Sequence, residues 1–294
     1  FRRFPFPMAR PSRLPADGGA LDAADKRLSG VFFRLQLGLL GECLLSLPGC
    51  CFGCPSFLFP AMLLLAHLAD PSALPRAPLL ATLAALAALW FAALGRASTS
   101  LLLALFSPAS ILISPAAGGA ALALAGGRGA PAACFFLTCW FCGEMPVLVL
   151  KKLAARRRPV ACEARHIGED VVAAASAKRL QCLVQLLRRD PNASFPSGDV
   201  SGATSFAFCL VRCAECPRLA LACVLLSATG RMYWQAHHLL DCFVGAALTL
   251  PVCLLLEWLQ GDPFQSLWWH PVGAILLVIA LVKVLGSTPA PSRR

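Results

Sequence analysis

Residues 230–259 read GRMYWQAHHLLDCFVGAALTLPVCLLLEWL, and two features of this stretch decide the class of the chain. From Leu239 onward it is apolar for about the 20 residues that one helical crossing of a bilayer requires. Just ahead of that run stand Arg231, His237, His238 and Asp241, ionisable side chains at the edge of an apolar segment. Such residues are costly near a bilayer and mark a working site by default. His237 and Asp241 are four residues apart, so on a helix the carboxylate can accept the Nδ1 proton and leave Nε2 free as nucleophile or base.

Working outward, comparable apolar runs lie at roughly 78–95, 99–125, 131–150, 200–214, 217–230 and 267–286. A shorter one at about 52–69 is interrupted by Pro55 and Pro60 and reads equally as a kinked span or an interfacial helix. The expected fold is all-α, a polytopic membrane helix bundle of about seven or eight spans. Composition agrees: 58% of the 294 residues are hydrophobic and 14% charged, with a mean hydropathy of +0.70, which excludes a disordered, collagenous or coiled-coil chain. The net charge of +11 does not point to nucleic acid, because the basic residues sit between apolar runs, where bilayer orientation and an anionic ligand account for them. With four spans before Lys151, the tail, Arg96, the 151–199 loop, Arg231 and the C-terminus share one side, the cytoplasmic one; with three, the tail lies opposite.

Residues 1–50 are expected to form a basic N-terminal tail, disordered or interfacial, followed by an integral-membrane domain over 51–287 and a polar C-terminal tail at 288–294. The first thirty residues carry no apolar core of a secretory signal. The 15 cysteines are scattered through apolar segments, where a free thiol acts as a small hydrophobe, so no disulfide framework is implied. Three C-x-x-C pairs, Cys51/Cys54, Cys139/Cys142 and Cys213/Cys216, have no histidine nearby at zinc-finger spacing.

Two further polar blocks flank apolar runs. Lys151-Lys152-Leu-Ala-Ala-Arg156-Arg157-Arg158-Pro159 follows one span. Basic residues there are ordinarily snorkelling anchors, but a proline that ends the helix at Arg158 turns its guanidinium so that Lys151 and Arg158 can converge on one anion. Ser194-Phe195-Pro196-Ser197-Gly198-Asp199 precedes another span. Ser197 or Asp199 there reads as a helix N-cap, and the same free N–H groups, with a small glycine and a hydroxyl, make a phosphate cradle.

In order and at these spacings the three blocks resemble the signature motifs of the type 2 phosphatidic acid phosphatase superfamily, which includes lipid phosphate phosphatases, isoprenyl diphosphate phosphatases and vanadium haloperoxidases. Lys151, Arg158 and Pro159 meet the first motif, Pro196, Ser197 and Gly198 the second, and Arg231, His237 and Asp241 the third. Two positions depart: Asp199 stands where the family has histidine, and Gly230 where it has serine. The resemblance covers roughly residues 131–260 and implies a six-helix phosphatase core.

It further implies that His237 attacks phosphorus to give a phosphohistidine that water hydrolyses, with Asp241 orienting the imidazole. Lys151, Arg158, Arg231, the Ser197 hydroxyl and the Gly198 N–H would hold the phosphoryl oxygens, and Asp199 would stand where the leaving oxygen is protonated. No metal or other cofactor is required in that chemistry. The implied substrate is a lipid phosphate or diphosphate, with phosphate in water and an acyl, sphingoid or isoprenoid tail in the bilayer of the endoplasmic reticulum or another endomembrane. Glu144, two turns before Lys151, is a further carboxyl that can face the same cavity. The alternative, from another class, is a catalytically silent membrane scaffold or lipid-phosphate-binding protein that keeps the pocket without the second-motif histidine.

Overall fold

The structure, a computed structural model, describes residues 20–95, 113, 115–120 and 127–287, apart from 73, 155, 163 and 190–192. All regular structure among the described residues is helical. In chain order the helices are α1 (Ala20–Phe33), α2 (Gly38–Ser46), α3 (Leu58–Ala69), α4 (Arg76–Gly95), α5 (Gly129–Ala154), α6 (Ala164–Ile167), α7 (Glu169–Ala177), α8 (Gln181–Arg189), α9 (Gly198–Ala214), α10 (Pro217–Tyr233), α11 (Leu239–Gln260) and α12 (Trp269–Ser287). The apolar run at 99–125 lies for the most part outside the described residues, as do residues 1–19 and 288–294.

Local chemistry sets the boundaries that matter for the site. The Ser197 hydroxyl caps α9 by accepting from the Val200 N–H at 3.4 Å. At the other end of α9, Glu215 takes a left-handed φ of 53°, and Pro217 then opens α10 at the position where a missing N–H costs nothing. Pro60, which left the 52–69 run ambiguous, falls in the first turn of α3, after a 3-10 turn at Pro55–Phe57.

Helix α5 is the axis of the bundle and packs against α3, α9, α11 and α12. Phe135, Phe136, Leu137 and Phe141 from α5 meet Leu58, Met62 and Leu65 from α3 and Phe206 from α9, all of them fully buried. The outer helices do the reverse: Leu221 and Leu225 of α10, Phe243, Leu254 and Leu255 of α11, and Leu276 and Leu277 of α12 are exposed. A stretch at Gly129–Ala161 and a second at Leu239–Gln260 are long and apolar enough to cross a membrane, and α3, Leu79–Ala92 and Trp269–Leu285 are shorter apolar helices. All 15 cysteines are free thiols.

The polar segment after α5 folds into the short helices α6, α7 and α8. A second apolar cluster, with Val160, Leu183, Leu187, Tyr233 and Trp234, fastens it to the end of α10. Sequence reading expects a tail up to residue 50; in the structure the chain is helical from Ala20, and α1 packs on α7, α10 and α11. The partners that order α1 are polar groups far away in sequence, which local composition does not reveal.

Candidate active site

The site forms where the turn between α10 and α11 meets the segment after α5. Beyond Tyr233 the chain doubles back, with the Ala236 and His237 N–H groups donating to the Arg231 carbonyl at 3.0 and 3.4 Å. The Val160 N–H donates to the Gln235 carbonyl at 2.9 Å, which lays the Arg158-Pro159 segment against this turn. Arg158, extended at φ −68° and ψ 143° as a residue before proline should be, aims its Nη1 at His237 Nε2, 3.4 Å away. Both side chains are buried. A guanidinium can only donate, so Nε2 accepts and the proton of the neutral ring sits on Nδ1. Burial holds the imidazole well below the usual histidine range, reinforced by Arg231, Arg158 and Lys151 and opposed by Asp241.

Asp241, in the first turn of α11, is the hub behind that ring. Its Oδ2 lies 3.6 Å from His237 Nδ1, accepts from the His238 N–H at 2.9 Å, and accepts from the Ser194 hydroxyl. Ser194 Oγ stands 3.4 Å from Nδ1, between the imidazole and the carboxylate. Oδ1 accepts from Arg156 Nη1 at 2.6 Å. Neither Ser194 nor Arg156 is singled out by spacing. Ser194 has the look of an ordinary loop serine, and Arg156 is one of five cations in nine residues that the anchor reading explains equally well. His238 approaches Asp241 Oδ2 equally closely through Nδ1, 3.6 Å, but its ring packs edge-on against Phe33 with centroids 5.7 Å apart. Only His237 has an arginine at Nε2.

On the far side the Ser197 N–H donates to the Asp241 carbonyl at 2.9 Å, bringing the Ser197-Gly198 turn over the start of α11. Lys151 Nζ donates to the Ala193 carbonyl at 2.9 Å, ahead of the same turn. A Cβ built on Gly198 would lie 3.2 Å from Glu144 Oε2, so the α5 carboxyl does face this turn; its buried Oε1 has no hydrogen-bond partner among the described residues. Arg231 Nη1 lies 3.1 Å from Asp199 Oδ2. Every residue expected at the site is therefore at this end of the bundle, with the cations near His237 and the Ser197-Gly198 turn beside Asp241. Residues 132–264 match the PAP2 superfamily. The resemblance seen in the three blocks is borne out by that match, which spans all of them and supports a phosphatase acting on phosphate esters. No curated protein and no solved structure matches the chain.

The two departures from the family pattern meet one element outside the PAP2 segment, the turn at residues 48–54 before α3. Gly49 packs backbone to backbone on Gly230: a Cβ on Gly230 would come within 2.6 Å of the Gly49 Cα, which leaves no room for a serine. The Gly49 carbonyl accepts from Arg231 Nη1 at 2.9 Å, and the Gly53 N–H donates to Asp199 Oδ1 at 3.1 Å. Asp199 thus bridges Arg231 and the turn. Burial pushes the neighbouring thiols up, Cys50 to about 12 and Cys54 to about 11.

Proposed function

We propose that this protein is a membrane-embedded, metal-independent phosphatase that hydrolyses a lipid phosphate or diphosphate through a phosphohistidine. The observation that carries this reading is the orientation of His237, with Nε2 towards Arg158 and Nδ1 backed by Ser194 and Asp241. A phosphoryl group entering between Arg158 and the ring displaces the guanidinium from the Nε2 lone pair onto a phosphoryl oxygen. Nε2 then attacks phosphorus, an N–P bond forms as the P–O bond to the lipid breaks, and Asp241 stabilises the imidazolium. Water cleaves the N–P bond, releasing phosphate and restoring the neutral ring. Arg158, Arg231 and Lys151, with the Ser197 hydroxyl and Gly198 N–H, bind the charge that develops on the oxygens.

The leaving oxygen must take a proton: once phosphate has replaced the Asp199 carboxylate on Arg231, that carboxylate takes the proton of the phosphate monoanion and passes it to the leaving oxygen. The water that cleaves the N–P bond supplies the protons of the released phosphate. The exposed apolar faces of α10, α11 and α12 support a bilayer around the bundle, so a lipid tail remains in the hydrocarbon while its phosphate reaches the site. Seven or eight crossings and an endomembrane location belong to the same reading.

One observation favours a second reading. The Arg231–Asp199 pair, closed by Gly49 and Gly53, already neutralises one phosphate-binding cation, as a silent lipid-phosphate-binding protein would tolerate. Turnover of phosphatidate, sphingoid phosphate and isoprenyl diphosphate by detergent-solubilised protein separates the two. Phosphate release that is lost in His237→Ala supports the enzyme; binding without release by the wild-type chain supports the silent protein.

A further inference from the structure

Helix α1 lies outside the PAP2 segment, yet its side chains reach the residues behind His237. Its buried face carries two polar side chains beside Phe33: Asp25 and Ser29 are 5% and 0% exposed, whereas Leu21, Leu28 and Val31 are 68%, 55% and 60% exposed on the outer face with Lys26 and Arg27. The buried polar face is fully engaged. Asp25 Oδ1 accepts from the Leu240 N–H at 2.9 Å, and Ser29 Oγ accepts from the Leu239 N–H at 2.8 Å. Those are first-turn donors of α11 that have no partner within the helix, so α1 caps α11 from another part of the chain. Asp25 Oδ2 and Asp22 Oδ1 also accept from Arg156 Nη2, at 2.9 and 3.0 Å, while Nη1 of the same guanidinium holds Asp241 Oδ1 at 2.6 Å.

We propose that α1 is a positioning element of the site, in which Asp25, acting through Arg156 and the first turn of α11, holds the Asp241 carboxylate in register with His237. The inference rests on the phosphohistidine reading for its kinetic consequence only. Asp25 itself bonds Arg156, Ser29 and the α11 backbone, and acts on the imidazole at second hand. The guanidinium is shared between α1 and Asp241. With Asp25 removed, the guanidinium keeps only Asp22 on the α1 side, and the Asp241 carboxylate loses the fixed partner on Oδ1 that keeps Oδ2 turned towards Ser194 and Nδ1. Because Asp241 is the influence that opposes the depression of the His237 pKa, its withdrawal lowers that pKa further. A role in folding alone predicts no such shift.

The experiment compares wild type, Asp25→Ala, Asp25→Asn and Ser29→Ala in the full chain in detergent. Steady-state kinetics are read together with the imidazole resonances of 15N-histidine-labelled protein, His237 being assigned by its loss in His237→Gln. For Asp25→Ala we expect kcat to fall roughly 10- to 100-fold with KM within about twofold, a displaced His237 Nδ1 resonance, and an acid limb of kcat/KM moved to lower pH. Asp25→Asn keeps an acceptor for Leu240 and loses the charge facing Arg156, so it should retain the fold and show the same displacement. Unchanged kcat with unmoved resonances overturns the proposal, and so does lost activity with an unmoved His237 resonance. If the wild type releases no phosphate from any substrate, the phosphatase reading fails, and the His237 resonance alone decides the role of α1.

Discussion

Around His237 the pocket is wired by side chains from within the PAP2 segment, while around Arg231 it is closed by the backbone of a turn that lies outside that segment. In the first half, Arg158, Ser194 and Asp241 surround an imidazole that has one defined tautomer. In the second, Gly49 and Gly53 take up Arg231 and Asp199, and the two substituted positions, Gly230 and Asp199, are the ones that touch them. The contrast teaches that both positions face one and the same turn. A glycine at 230 leaves room for the turn, and the turn donates one hydrogen bond, from the Gly53 N–H, to the aspartate at 199.

The sharpest way to break this contrast is the proposed nucleophile, His237. His237→Ala should lower phosphate release by at least about 10³-fold, while His238→Ala costs less than about tenfold, because only His237 is held between Arg158 and Asp241. Equal losses in a turnover assay would mean that the register is wrong. Next come the two arginines: Arg158→Ala and Arg231→Ala should each reduce kcat/KM by about 10²- to 10³-fold, with lysine a poor substitute at either position. If Arg231→Ala is mild while Arg158→Ala is severe, the half of the pocket under the turn contributes no charge to the transition state.

Asp199 sharpens the comparison further. As proton donor, Asp199→Asn should slow alkyl phosphates by about 10²-fold and aryl phosphates, with their better leaving groups, far less. As a latch on Arg231, it should leave the alkyl-to-aryl ratio unchanged. Asp199→His producing activity in an otherwise inactive chain would establish the silent reading.

A smaller effect concerns pH. In the proposed mechanism His237 attacks as the neutral ring; burial lowers its pKa in the folded protein, so neutral imidazole persists as pH falls through the ordinary histidine value. In a kcat/KM profile of free enzyme the acid limb should therefore appear well below pH ~6.5. A limb at the ordinary value would mean that the ring is more exposed or better paired than the geometry has it. The smallest effect is expected from thiol alkylation, below about twofold at neutral pH, because Cys50 and Cys54 next to the site are held as thiols far above it. Rapid inactivation that substrate prevents would show that the turn opens.

Much of this was open to inspection in the chain itself. Apolar run length placed α4, α5 and α9 to α12 close to their observed limits, because a long apolar segment satisfies its backbone only as a helix. The resemblance to the third motif, with Arg231 six before and Asp241 four after, pointed to His237 and not His238. Proximity to Asp241 does not separate them, since both rings stand 3.6 Å from its Oδ2. Ser194 and Arg156 escaped notice for the opposite reason: their roles come from contacts 47 and 85 residues away in sequence, and a serine in a loop or an arginine among arginines carries no local mark.

What the sequence determined by itself is therefore the helical class, the three polar blocks and the pairing of His237 with Asp241, all consequences of short-range geometry. The tertiary structure alone decided that α1 turns its acids inward onto Arg156 and α11, and that the turn at 48–54 meets the two substituted positions. Both are long-range pairings of buried polar groups. Each such group must find a partner on folding, but composition and spacing do not say which distant residue will supply it.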